Sequence, residues 1–163
     1  PKDSDFFNVV EMTTDASRRA IRKLLSRVDD ILDVSRMESG KMSVDPDITE
    51  LATLADSVCV ELSPLAHELE ITIESEVSED LPMVHVDADK VERVLINLVD
   101  NALKYSPADS RVIIRSYGPG INETPDGFVR VEVVDRGPGI PDEYKDRLFE
   151  RDRKSTRLNS SHR

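Results

Sequence analysis

The stretch DADKVERVLINLVDNALKYSP, residues 87–107, constrains the fold more than any other part of the chain. Val91, Val94, Leu95, Leu98, Val99, Ala102 and Leu103 recur at intervals of three and four without a gap, the period of a helix with one apolar stripe. Asp89 stands where an N-cap is expected, Glu92 follows it in the capping-box position, and Pro107 stops the helix. The flanking segments read as partners for that stripe. ITIESEV alternates Ile71, Ile73 and Val77 with polar residues, as a strand does, and MVHVD reads as a second short strand. RVIIRSY and FVRVEVVD are two more, joined by a turn-rich loop at 118–127 into a hairpin. A further helix at about 50–66 carries Leu51, Leu54, Ala55, Val58, Cys59 and Leu62 on one side, and Pro64 should end or kink it. The order helix, strand, strand, helix, strand, strand predicts an α+β chain whose main body is an α/β sandwich, with helices on one face of a sheet.

Ahead of this body, Ile21, Leu24, Leu25, Val28, Ile31, Leu32 and Val34 fall at helical spacing between Asp15 and Glu38, under a charged outer face. Two readings fit: an ordinary amphipathic helix, or half of a dimeric bundle with a coiled-coil-like seam. Gly40 breaks the helix and Pro46 follows, so 1–40 and the body from 50 onward are expected to be joined by a linker at 41–49.

Composition removes several classes of function. The chain has 163 residues, room for one ordinary domain and an extra element. Lys and Arg number 22 against 33 Asp and Glu, a net charge of −11, which argues against a nucleic-acid partner. Cys59 is the single cysteine, so neither a disulfide framework nor a cysteine-based zinc site is available, and a reducing, cytoplasmic setting is expected. No apolar run approaches the length of a membrane-crossing helix.

The chemistry is concentrated in two places. Asn97, Asn101 and Lys104, spaced by four and three, share one narrow face at the edge of the apolar stripe. An amide oxygen is a hard neutral ligand suited to Mg²⁺, and an ammonium one turn further on suits a phosphate oxygen. Taken alone, the plainer reading of this face is that its polar residues merely line solvent. The second place is VVDRGPGIP, residues 133–141, where Asp135 ends a strand and Gly137 and Gly139 give the backbone room to turn and approach a flat ligand. A carboxylate there can accept a hydrogen bond from an exocyclic amine such as adenine's. The string GPGI also occurs at 118–121, but after Tyr117 and among Asn122, Pro125, Asp126 and Gly127, so that copy reads as a hairpin loop.

NLVDNALKYSP followed by VVDRGPGIP resembles the N box and first glycine box of sensor histidine kinases, in the Bergerat or GHKL-type ATP-binding fold. ILDVSRMESGKM resembles the end of the second helix of their dimerisation and phosphotransfer bundle, and the likeness runs from about Ala16 to Glu150. The resemblance implies that ATP and Mg²⁺ are the cofactors. It implies that Asn101 coordinates Mg²⁺ with Asn97 close by, that Lys104 contacts phosphate and that Tyr105 lies against the nucleotide. Asp135 then reads the adenine amine, and Gly137, Gly139 and Ile140 shape the pocket. Related ATPases of the fold carry a water-activating glutamate near the place of Asn97; an amide is a poor base, which suits transfer to a protein side chain. The implied partners are a second copy of the chain through the bundle and the receiver domain of a response regulator. Any membrane attachment would come from regions outside this sequence.

Two family features are missing from the pattern. His67, His85 and His162 are the only histidines, and none has the place of the phosphoacceptor, so no catalytic residue is assigned. The phenylalanine box and glycine-rich lid expected after DEYKDRLFER do not follow; residues 152–162 instead read like the translation of a sequencing adapter, and 152–163 are expected not to be native. The expectation is a kinase fragment, cut before the lid and last strands, that binds nucleotide weakly and is inactive alone. A GHKL ATPase and a non-catalytic dimerisation module with a nucleotide pocket are the alternatives.

Overall fold

The computed structural model describes residues 39–145, preceded by Ile21, Val28, Leu32, Ser35 and Arg36. Most of the helix expected over Asp15–Glu38 and all of the segment 152–163 lie outside the described residues. The chain divides into two compact units, Pro1–Asp45 and Pro46–Arg163.

In the first unit the five described residues up to Arg36 are helical, and Ile21, Val28 and Leu32 are exposed along the expected seam. Gly40 supplies the stop. At φ +64 it lets the Lys41 N–H return to the Arg36 carbonyl at 2.9 Å, a glycine helix cap.

The second unit runs β1 (Asp47–Thr49), α1 (Leu51–Glu68), β2 (Thr72–Glu76), β3 (Val84–Val86), α2 (Ala88–Tyr105), β4 (Arg111–Tyr117), β5 (Arg130–Val134) and α3 (Asp142–Lys145). The main sheet has three strands in the order β2-β4-β5. β2 and β4 are parallel, Thr72 opposite Arg111, because α2 lies in the connection between them. β4 and β5 form the expected antiparallel hairpin, with Tyr117 opposite Arg130. β3 does not join this sheet. It pairs antiparallel with β1, Ile48 opposite His85, in a separate two-stranded ribbon. The strand Asp47–Thr49 therefore occupies part of the segment expected as linker.

The two long helices share one core with the sheet. Leu54, Ala55, Val58, Leu62 and Ala66 of α1 meet Leu95, Val99, Ala102 and Leu103 of α2 over Val112 and Ile114 of β4. Pro64 does not end α1, which continues to Glu68. Proline removes the bond to the carbonyl four residues back, that of Val60, and Val60 is on the solvent side, where water can take its place. Glu70 closes the helix at φ +58, with the Ile71 N–H bonded to the Ala66 carbonyl at 2.9 Å and Ile71 itself buried.

The start of α2 also differs from expectation. Asp87, not Asp89, is the N-cap: its Oδ1 accepts from the Lys90 N–H at 3.2 Å, and the Lys90 ammonium closes an ion pair on the same carboxylate. Glu92 is thereby released from capping, and its Oε1 accepts a hydrogen bond from Ser57 Oγ of α1 at 2.9 Å.

Candidate functional site

Seven apolar residues on one helix are more than a single packing face can hold. Leu95, Val99, Ala102 and Leu103 are buried, while Val94 and Leu98, expected in the same stripe, are exposed. At 100° per residue, Val94 and Leu98 turn to the side that carries Asn97, Asn101, Lys104 and Tyr105, all of them exposed. α2 thus has two working faces, one sealed in the core and one open. The open face mixes apolar surface, two amides, a phenol ring and an ammonium, the composition of a ligand surface more than of a solvated one.

The chain after β5 is folded onto the end of this helix. The Asp135 Oδ1 accepts from the Gly137 N–H at 2.7 Å, a tight turn that fixes the plane of the carboxylate. One oxygen is taken by that bond, leaving Oδ2 to meet a ligand. The Arg136 N–H donates to Ser106 Oγ at 3.4 Å, and Gly137 lies against the last turn of α2. A Cβ added at Gly137 would stand 2.9 Å from Asp135 Oδ1 and 3.1 Å from the Tyr105 carbonyl oxygen, so only glycine fits without displacement. Gly139, at φ +72, turns the chain again, and Ile140 is exposed beyond it.

These contacts bring Asp135 and Gly137 to Tyr105 and Ser106, within one helical turn of Asn101 and Lys104. Asn97 lies further back, about 12 Å from Tyr105 along the helix axis. Among the described residues no three His, Cys, Asp or Glu side chains gather as metal ligands. The amide oxygens of Asn97 and Asn101 on the open face are hard neutral ligands, which fit a Mg²⁺ arriving on phosphates and keeping most of its waters. The absent side chain at Gly137 lets the turn sit directly on the Tyr105 backbone, which keeps Asp135 beside the end of the helix. His67, in the last turn of α1, and His85, in β3, are exposed.

Ser106 was not among the residues singled out from sequence. Its signal was the YSP at 105–107: a residue before proline is pushed out of the helical region, so a hydroxyl is carried just past the last turn. The GPGI at 118–121 does lie in the β4–β5 loop, where the Gly120 N–H bonds to the Thr124 carbonyl at 2.8 Å.

The family of histidine kinase-, DNA gyrase B- and HSP90-like ATPases matches residues 86–163. The adaptive-response sensory kinase SasA of Synechococcus sp. (strain JA-3-3Ab) is 35% identical over 133 residues, which cover 82% of this chain and 34% of SasA. Full-length ShkA in complex with AMPPNP superposes with a TM-score of 0.68 at 31% identity, over 78% of this chain and 26% of ShkA. The nucleotide-free catalytic domain of the histidine kinase ThkA gives 0.53 at 31% identity, over 66% of this chain and 68% of that domain. ThkA in complex with the response regulator TrrA gives 0.57 at 27% identity, over 79% of this chain and 37% of that structure. The chain belongs to the sensor histidine kinases and carries their GHKL-type ATP-binding fold. It spans about a third of the length of the curated relative SasA.

Proposed function

We propose that this chain is the ATP-binding part of a sensor histidine kinase, preceded at 1–40 by a stretch of the dimerising bundle and joined to it by the segment 41–49. The observation that carries the reading is the seating of the Asp135–Gly137 turn on the last turn of the Asn-Asn-Lys helix. The relatives' kinase names and the AMPPNP held by ShkA support it.

In this reading Asp135, its Oδ1 already held by Gly137, accepts the adenine amine at Oδ2. Tyr105 lies against the nucleotide, and Gly137, Gly139 and Ile140 form the wall beside the base. Asn101 and Asn97 hold Mg²⁺, which when bound neutralises charge on the phosphate oxygens. Lys104 meets a phosphate oxygen as a point charge. None of these groups is a strong base for water, and Asn97 as an amide cannot take its proton, so the site is suited to positioning a γ-phosphoryl group for a protein acceptor. The whole protein would then pass that group to a histidine of its own bundle and on to the aspartate of a response regulator, as the ThkA–TrrA complex suggests by analogy. It would pair with a second copy along the seam of Ile21, Val28 and Leu32 and work in the cytoplasm. Among the described residues no helix is long and apolar enough to cross a membrane.

The test is a titration of the chain with ATP, with and without Mg²⁺, repeated on Asn101→Asp. Mg²⁺-dependent binding that the substitution alters is the expected result. No binding, or binding indifferent to both Mg²⁺ and residue 101, would leave a non-catalytic interaction module that merely retains the pocket.

A further inference from the structure

A ligand that touches both Asp135 and Asn101 bridges two separate elements, the β5 end and the α2 end. Selectivity then depends on how firmly those ends are held together, since a binding constellation has to be kept within about 0.5 Å of its productive geometry. The Arg136 N–H to Ser106 Oγ bond lies at that junction, between Asp135 and Gly137. Ser106 is itself well placed to act as an anchor. Its backbone N–H is bonded to the Ala102 carbonyl at 3.0 Å, its φ and ψ of −78° and 145° are those a following proline imposes, and it is half-buried.

We propose that Ser106 is a positioning residue for base recognition: its hydroxyl holds the Arg136 amide, and through it the Asp135 carboxylate, in register with the amide face of α2. The hydroxyl touches neither base nor phosphate in this account, which rests on the nucleotide reading above. Removing it frees the 135–137 turn to rotate without emptying the site.

The test compares ATP with inosine triphosphate, which has a carbonyl oxygen where adenine has its amine, by NMR titration of the full chain in Mg²⁺. Ser106→Ala should weaken ATP about 3- to 10-fold, the worth of one modest hydrogen bond, and leave inosine triphosphate nearly unchanged. Ser106→Thr, which keeps the hydroxyl, should restore the preference. In the ligand-free chain, Ser106→Ala should also speed exchange of the Arg136 amide. Gly137→Ala displaces the same turn from the other side and should erode the same preference, a second route should Ser106→Ala fold poorly. Equal losses for both nucleotides with a lowered melting temperature would mark Ser106 as merely structural and overturn the proposal. So would an unchanged ATP preference in Ser106→Ala. A wild-type chain that does not distinguish the two nucleotides would instead sink the nucleotide reading itself, and the role of Ser106 with it.

Discussion

Gly-Pro-Gly-Ile occurs at 118–121 and again at 137–140, and the two copies are held in different ways. Their third residues have nearly the same φ, +74 at Gly120 and +72 at Gly139. Their surroundings separate them. The first copy is closed on itself: the Ile121 N–H bonds to the Gly118 carbonyl at 3.2 Å and the Gly120 N–H to the Thr124 carbonyl. A Cβ at Gly118 would meet Leu81 Cδ2 at an ordinary 3.6 Å. The second copy is bonded outward, Gly137 to the Asp135 carboxylate, while the Arg136 amide just before it bonds to Ser106 at the end of α2, and it has no room for a Cβ at its first glycine. A tetrapeptide is therefore not a site. What singles out the second copy as the proposed site is Asp135 before it and the open face of α2 beside it.

The difference can be tested from its largest consequence downward. Asp135→Asn keeps an oxygen for the Gly137 N–H and puts a donor where the adenine amine should bind. Loss of a hydrogen bond to a charged acceptor should weaken ATP about 10- to 100-fold by titration, with little change in stability. Gly137→Ala should follow, its Cβ pushing against Asp135 and Tyr105, with about 1–3 kcal/mol lost in thermal unfolding and ATP binding weakened alongside. Gly118→Ala, the matching change in the first copy, should stay within about 0.5 kcal/mol and bind as the wild type does. Gly120→Ala and Gly139→Ala place a side chain in the same left-handed backbone, so each should cost about 1 kcal/mol of stability. Only the second should also move nucleotide affinity. Equal effects on affinity from both would break the comparison.

The smallest expected effect is a control for locality. Burial, and after it the nearby Asp56 carboxylate, raises the pKa of the Cys59 thiol above its ordinary value. The protonated thiol is favoured in the fold, so its contribution is complete below the unfolded pKa and is lost as pH rises through the folded one. Alkylation at mildly alkaline pH should accordingly be slower in the folded chain than in the denatured one. None of the four glycine-loop substitutions should speed it; a Gly137→Ala chain that did so would be loosened as a whole and would say nothing about the site.

Much of this was readable in the sequence, and the limits have physical causes. The period of α2 and the Asn-Asn-Lys spacing announced both of its faces, but not which apolar residues served which. Val94 and Leu98 fit the core period and yet lie open, because period alone does not reveal the width of the surface a helix rests on. The cap moved from Asp89 to Asp87 since two acids competed for it, and β3 ends just before the earlier one. β1 was invisible in three residues of linker-like sequence; it is a strand because β3, far along the chain, pairs with it. Ser106 was overlooked for a similar reason: its partner Arg136 is thirty residues away, and local pattern carries no record of that.

The most direct test of the central claim is a ¹⁵N-correlation titration of the chain with Mg²⁺ and ATP, following the amides of both glycine loops at once. Shifts at 97–105 and 135–140, with 118–121 still, are the result this account predicts. Shifts confined to 118–121, or none along the open face of α2, would contradict it.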